Sequence, residues 1–527
     1  MDRLKTIAIY LPQFHRLPEN DEWWGEGYTE WTAVRSAEKL FSEHNQPREP
    51  LNDYYYDLMK KETMKWQVDL AKRYGIFGFC FYHYYFKNGR KILEKPAENL
   101  LRWKELDMPF CFCWANQTWA RTWSKLTRAN AWTEKFEETQ HGGRGVLLEQ
   151  GYGREQDWEE HFKYLLPFFK DSRYLKIDNR PIFIIYMPDD IPVLNDMLLL
   201  WNELAVKEGF SGIYSIAVDS LEHKEVSATL LLGPKPYQYA NVIGQETGEK
   251  LYGQIWGKNY EDVWKNAVSC NVTGMDKIYY GGFVDYDDSP RRGIQGTFIV
   301  NANPELFEKY MYALAVKNMA LGNELLFINA WNEWGEGNYL EPDKKNGFAY
   351  LEAVRRIYQR CNDTNFDEKA EWSRIKKSLE IKETDQKDTD EKEKMLHQVK
   401  RYQKLFYLLD RWMLLKENKI GLEEYFRVNH VNRVIIYGFA AVGKHVFEEL
   451  RNTPVEVVCV LDRTKWKFEY PGIKILNPMN QIPCADMIIV TVMQKTEDII
   501  EQLRKYTDQP VVSIYEIVFN IPLTGEE

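Results

Sequence analysis

Eight apolar, strand-like runs recur along the first two thirds of the chain, with helical patterning between them. They fall at Thr6–Phe14, Ile76–Phe86, Pro109–Asn116, Pro181–Pro188, Gly212–Ser220, Leu230–Tyr239, Ile278–Tyr286 and Leu325–Trp331. The last opens Leu325-Leu326-Phe327-Ile328, and a run without polar alternation is how a strand covered on both faces reads. Eight strands alternating with helices over about 350 residues predict an α/β chain folded as a (β/α)8 TIM barrel with insertions. The sixth run carries the weakest signal, because Pro234 and Pro236 interrupt it and proline cannot donate to a sheet ladder. A long connection with a glycine-rich stretch, Gly142–Gly145, separates the third run from the fourth.

A chain of 527 residues exceeds what one compact core holds, so further units are expected. After Tyr358 the composition changes, and from Asn362 to Lys394 acids and lysines dominate, as in a linker or an exposed helix. Leu405–Leu415 and Leu422–Phe426 read as amphipathic helices that bury one face. At Arg433 a smaller unit begins: strand Val434–Tyr437, loop Gly438–Lys444, a helix, strand Val455–Leu461 ending at Asp462, then strands at Met487–Val492 and Val511–Tyr515. This is a Rossmann-like parallel α/β pattern. The expected divisions are a barrel over 1–360, a charged linker with helices over 361–430, and the Rossmann-like unit over 431–527. As a GxxxxGK loop it lacks the following Ser or Thr, having His445 instead; as GxGxxG it has Ala440 at the middle glycine. Gly438, Gly443 and Asp462 are the nucleotide-binding candidates there, and an empty scaffold is the alternative.

At the end of the eighth run stands Asn329-Ala330-Trp331-Asn332-Glu333-Trp334-Gly335-Glu336-Gly337. The C-terminal ends of barrel strands carry the chemistry. Residues three apart on an extended strand face opposite ways, so Glu333 and Glu336 share a pocket only if the chain turns between them, for which Gly335 and Gly337 are suited. Two carboxylates among aromatic rings supply what glycosidic bond cleavage requires: a proton donor, a base and a flat apolar surface for a sugar.

Similar groupings follow other runs. Tyr10, Gln13 and His15 end the first, and Trp24, Glu30 and Trp31 lie in the loop beyond it. Tyr82, His83 and Tyr84 end the second; Trp114, Asn116, Gln117 and Trp119 end the third; Asp285, Asp287 and Arg291 follow the seventh. With Asn329, Trp331, Asn332 and Trp334 these are the candidate substrate-binding residues, hydroxyls being read by polar groups and C–H faces by rings. The acids after the seventh run could form a calcium loop, but internal pairing with the arginines fits better. His15 and His83 have no second ligand at metal spacing, and no CxxC occurs among the seven cysteines, so neither a metal centre nor a disulfide framework is expected. The net charge of −10 argues against a nucleic-acid or anionic-membrane surface. No apolar run approaches the roughly 20 residues of a membrane span or has the form of a signal peptide, so a cytoplasmic location is expected.

Tyr10–His15, Trp23–Trp31, His44–Pro47, Phe79–Tyr85, Trp114–Trp119, Asp285–Arg292 and Asn329–Gly337 with Tyr339–Pro342 together resemble the WbsX-type family, related to family 99 glycoside hydrolases and found in O-antigen and capsule gene clusters. The resemblance covers about residues 5–358 and implies a (β/α)8 barrel. It further implies that Glu333 acts as a base on the sugar's own 2-hydroxyl and Glu336 as general acid/base, through a 1,2-anhydro sugar and without a protein nucleophile. Gln117 stands where relatives usually have Glu, so an acidic role there is lost. The Rossmann-like unit is similar to accessory domains on bacterial glycosyltransferases. The barrel requires no cofactor on this reading. Three functions are weighed: a glycoside hydrolase or transglycosidase acting on a bacterial oligo- or polysaccharide, a glycosyltransferase of O-antigen or capsule assembly working beside partner enzymes, and a non-catalytic sugar-binding scaffold.

Overall fold

The structure is a computed structural model that describes residues 2–120, 146–238, 242–246, 254–272, 275–293, 296–381, 405–463, 471–477, 482–493 and 496–521. The chain divides into two compact units, Met1–Glu383 and Thr384–Glu527.

In the first unit, strands β1 (Lys5–Tyr10), β2 (Gly78–Tyr85), β3 (Phe110–Trp114), β4 (Arg180–Ile185), β5 (Tyr214–Val218), β6 (Ala228–Leu232), β7 (Ile278–Phe283) and β8 (Leu325–Asn329) form a closed parallel barrel. Each pairs in parallel with its neighbour in order, and β1 closes the ring by pairing with both β2 and β8. The sequence Phe-Cys-Phe-Cys-Trp of β3 is buried throughout, because one face fills the barrel and the other meets the helices.

Helices α1 (Lys61–Arg73), α2 (Lys95–Arg102), α3 (Glu155–Phe169), α4 (Leu194–Lys207), α5 (Tyr260–Ser269), α6 (Pro304–Ala320) and α7 (Ala349–Cys361) surround the strands. Their ends follow local chemistry. Asn303 caps α6 by accepting from Leu306 N–H at 2.9 Å, with Pro304 in the first turn, and Asn259 caps α5 in the same way. No helix joins β5 to β6, which connect through residues 219–227. The sixth strand stops at Leu232, ahead of Pro234 and Pro236, earlier than its apolar run suggests. The stretch Gly142–Gly145 lies outside the described residues.

Part of the charged segment expected as linker belongs to the barrel unit. Helix α8 (Glu368–Ser378) buries Ile375 in the barrel unit's core, and its Glu371 accepts from Tyr312 Oη of α6 at 2.8 Å.

The second unit holds a five-stranded parallel sheet: β9 (Arg433–Tyr437), β10 (Glu456–Leu461), β11 (Ile475–Leu476), β12 (Met487–Val490) and β13 (Val511–Ser513), in the order β11-β10-β9-β12-β13. The helix over 405–417 and the one at Glu423–Val428 join this unit's core through Leu408, Trp412, Leu415, Leu422 and Phe426. Among the described residues no helix is long and apolar enough to cross a membrane.

Candidate active site

Just past β8, Asn332–Glu333 pairs antiparallel with Asn338–Tyr339, and the 3₁₀ turn Trp334–Glu336 forms the tip. The turn puts both carboxylates on one side. Gly337 closes it in the left-handed region, at φ 63°, and a Cβ there would meet the Arg48 guanidinium carbon at 2.6 Å. A Cβ on Gly335 would overlap the Glu30 carboxylate, so neither glycine has room for a side chain.

Supports beneath the turn are fully buried. Asn332 accepts from Leu11 N–H at 2.8 Å and donates to Leu11 O at 3.0 Å, fastening the turn to the end of β1. Trp334 stacks on Tyr339 with ring centroids 3.7 Å apart and donates from Nε1 to Glu341 at 2.7 Å. Glu341 also accepts from Tyr56 Oη at 2.8 Å and Gln67 Nε2 at 2.7 Å.

Arg291, from the short helix Ser289–Arg292 after β7, joins the acids. Its Nη1 lies 2.7 Å from Glu336, its Nη2 3.2 Å from Glu333 and its Nε 2.8 Å from Glu30. The loop carrying it is braced by its own acids. Asp285 pairs with Arg48 at 2.8 Å, and Asp287 accepts from His44 Nε2 at 2.9 Å and Gln46 Nε2 at 2.6 Å. Leu40 N–H donates to His44 Nδ1, which leaves the ring proton on Nε2, facing Asp287.

Burial pushes the Glu333 carboxyl well above the ordinary carboxylate range; the neighbouring Glu336 adds to this and Arg291 opposes it. Glu336 is also raised by burial, against the pull of Arg291. The two differ in access, their side chains being 6 % and 27 % exposed. Burial holds the phenols of Tyr82, Tyr84, Tyr186 and Tyr286 protonated far above their usual range; the first three feel the charge of both acids and Tyr286 that of Glu336. Glu341 is raised to about 7 by burial, against its three donors and Trp331. Asp287 is lowered despite its burial, because His44 and Arg48 favour its charge.

The barrel gathers Glu30, Tyr82, Tyr84 and Arg291 around Glu333 and Glu336. Asn329, at the end of β8, donates from Nδ2 to Gly233 O, just past β6, at 3.0 Å. Other sequence candidates lie elsewhere. His83 alternates with Tyr82 and Tyr84 along β2, so it faces outward, with Nε2 2.8 Å from His161 Nε2 on α3. Trp114 packs on His161 and donates to Tyr85 O, and Tyr10 bonds Gln67 on α1. Asn116 ties the end of β3 to Met187 beyond β4, using both amide atoms. Trp31 packs on Phe14, Tyr56 and Trp334, and Trp331 on Phe79. The polar atoms or ring faces of these residues, and of Asn332, Trp334, Asp285 and Asp287, are engaged within the protein. Near the rim, Trp24 lies against Tyr28, and Trp119 packs on Trp23 and Tyr84. Gln13 O accepts from Glu30 N–H, Gln117 is half-buried, and His15 is buried beside the charges of Asp57 and Glu94. Tyr186 and Tyr286 were missed, though both stand within three residues of a strand's C-terminal end, where the strand-end rule would have found them.

In the second unit, Asp462 accepts from Phe439 N–H at 2.7 Å, and Gly443 packs against the Gly438 carbonyl and Thr491. Both glycines and the acid thus shape the turn between β9 and helix α9 (Ala441–Leu450).

Fold and site together define a parallel eight-stranded barrel with an arginine-bridged carboxylate pair at the mouth. The chain belongs to the family described as Glycosyltransferase WbsX, which it matches over residues 6–354. Residues 430–510 match the family described as C2185-like, N-terminal. The chain is 30 % identical over 371 residues to the uncharacterized protein WxcX of Xanthomonas campestris pv. campestris strain B100, and equally to that of a second strain. The match takes in 68 % of this chain and 50 % of the relative, so the chain spans about half the length of the curated relatives it matches. Among solved structures it is similar to the GH99 endo-alpha-mannosidase from Bacteroides thetaiotaomicron, at 13 % identity and a TM-score of 0.41 over 69 % of this chain and 98 % of that one. It is also similar to a glycoside hydrolase-like protein, at 11 % identity and a TM-score of 0.42 over 68 % of this chain and 94 % of that one.

Proposed function

We propose that the barrel is a carbohydrate-active enzyme that breaks or transfers glycosidic bonds of a bacterial oligo- or polysaccharide, with Glu333 and Glu336 as its acid/base pair. The observation that carries this reading is the pairing itself: one buried and one half-buried carboxylate, both with raised proton affinity, bridged by one guanidinium at the C-terminal end of β8 and ringed by tyrosines. Such a pair holds one proton near neutral pH. The protonated member gives that proton to the departing glycosidic oxygen as the C1–O bond breaks. The ionised member takes a proton from the hydroxyl whose oxygen forms the new bond to C1, so the pair ends with its proton exchanged and the net charge unchanged. Burial raises the proton affinity of Glu333, whereas the resemblance to family 99 makes Glu333 the base and Glu336 the donor. Leaving-group dependence assigns the order, since a variant lacking the donor keeps turnover on aryl glycosides with acidic phenols.

The family description favours a second reading, glycosyl transfer from an activated donor. The deciding experiment measures turnover of bacterial polysaccharides and of glycosides with poor, non-acidic leaving groups, without nucleotide sugar, by wild type and Glu336→Gln. Release by wild type that the variant loses supports glycosidase-type chemistry. Transfer that occurs only with nucleotide sugar replaces that reading with the second.

A further inference from the structure

Glu30 is a third carboxylate at the acid pair, and it is the least accessible: its side chain is 2 % exposed, against 6 % for Glu333 and 27 % for Glu336. It heads the short helix Glu30–Arg35, whose cap residue Thr29 exchanges hydrogen bonds with Thr32, and its own N–H donates to Gln13 O beyond β1. Its backbone is therefore fixed from the β1 side of the barrel, not from the hairpin that carries the pair. Its carboxylate fills the space over Gly335, between the two acids in sequence, where any Cβ would collide with it. There it takes the Nε of Arg291, so that guanidinium presents Nε, Nη1 and Nη2 to three different carboxylates.

A guanidinium is planar, and fixing Nε fixes the directions of both Nη groups. We propose that Glu30 is a positioning residue: without touching substrate, it orients Arg291 so that one guanidinium spans Glu333 and Glu336 and keeps the pair divided into one acid and one base. This rests on the acid/base reading of the pair. Two effects of Glu30 act on Glu333 in one direction. Its negative charge raises the proton affinity of Glu333 directly, and it draws positive charge on Arg291 away from the pair. Removing the charge should lower the affinity of both acids for their proton.

The test uses the full chain with Glu30→Gln, which keeps an acceptor for Nε but not the charge, and Glu30→Asp, which keeps the charge but withdraws it. Carboxyl resonances of Glu333 and Glu336 are followed by carbon NMR against pH, and kcat and KM are measured across pH on whichever glycoside wild type cleaves. The expected result for Glu30→Gln is a downward shift of about one pH unit in the midpoint of Glu333, with the alkaline limb of kcat moving the same way and KM within about twofold. For Glu30→Asp we expect a smaller shift in the same direction. Unmoved carboxyl midpoints in a folded variant overturn the proposal, as does a rise in KM at an unchanged pH profile, which would put Glu30 on the sugar. Should Glu30→Gln not fold, an unmoved Glu30→Asp midpoint overturns it equally. The NMR titration needs no turnover, so a shifted midpoint in a protein that cleaves nothing would uphold the role of Glu30 while removing the glycosidase reading.

Discussion

Arg291 Nη1 lies 2.7 Å from Glu336 Oε1, so the more open acid of the pair is tied to the loop after β7 and not to its own hairpin. Substitution of Arg291 by Met, of similar length and no charge, leaves three carboxylates crowded without a cation. Breaking a buried ion pair from one side costs roughly 3–5 kcal/mol, and losing a preorganised charge at a reacting centre costs about 10²–10³ in rate. The folded-state proton affinities of Glu333 and Glu336, already raised, would rise further above their unfolded values. The folded variant then binds more protons than the unfolded chain, and its stability falls as pH rises above the unfolded carboxyl value of about 4.3. The Tm deficit against wild type should be larger at pH 8 than at pH 5. An equal deficit at both would show that the substitution leaves the proton binding of the acids unchanged.

The raised affinities of Glu333 and Glu336 also fix the form of the pH–rate curve. Activity requires one ionised and one protonated member, so kcat/KM should be bell-shaped, with its alkaline limb above the range of a solvent-exposed carboxylate. Glu333→Gln should abolish the bell. A flat profile for wild type from about pH 5 to 8 would remove the pair from acid/base work.

Glu341 joins α1 to the acid turn through three donors, and Gln cannot reproduce them. If the new amide keeps its oxygen toward Tyr56 and Trp334, its NH₂ meets the NH₂ of Gln67. Gln67 cannot rotate to answer without losing the 2.7 Å bond from Tyr10 Oη. An unsatisfied buried donor costs about 1–3 kcal/mol, so Glu341→Gln should lower stability by that amount. With the Glu341 carboxyl raised to about 7, the wild type loses stability as pH rises from about 4.3 through 7, and the Gln variant lacks that loss. The gap between them should be widest near pH 5 and narrow toward pH 8, as thermal unfolding at the two pH values would show.

The barrel was legible because its strands are buried on both faces, and unbroken apolar runs such as Leu325–Ile328 are hard to read as anything else in an alternating α/β chain. The turn at Glu333 and Glu336 was legible for a different reason: two acids three apart with glycines around them can meet only by bending. What the pattern did not contain was direction. Tyr82, His83 and Tyr84 are equally polar-aromatic in sequence, yet the pleat sends the tyrosines to the mouth and the histidine to α3. The aromatic clustering suggested sugar stacking, but much of it is protein packing on protein, as at Trp334 and Tyr339. Arg48 and His44 as braces, and Glu30 as the third acid on Arg291, depend on contacts between residues some 240 to 290 positions apart, which no local spacing encodes.

Inner and outer faces of the strands should therefore respond differently to mutation. Tyr186 directly follows β4, is half-buried, meets Tyr82 edge-on at 5.9 Å and feels the charge of Glu336. Trp114 ends β3 on the opposite face, sealed against His161 and Phe183. If the tyrosines form the wall on which a sugar lies, Tyr186→Ala removes aromatic contact of about 0.5–1.5 kcal/mol and should raise KM roughly two- to twelvefold with little change in Tm. Trp114→Leu leaves a cavity in the core and should lower Tm by several degrees while KM stays within about twofold. Steady-state kinetics and thermal unfolding of the two variants separate the cases. A KM effect from Trp114 that exceeds that of Tyr186 would mean that the sugar does not lie against the tyrosine wall at the barrel mouth.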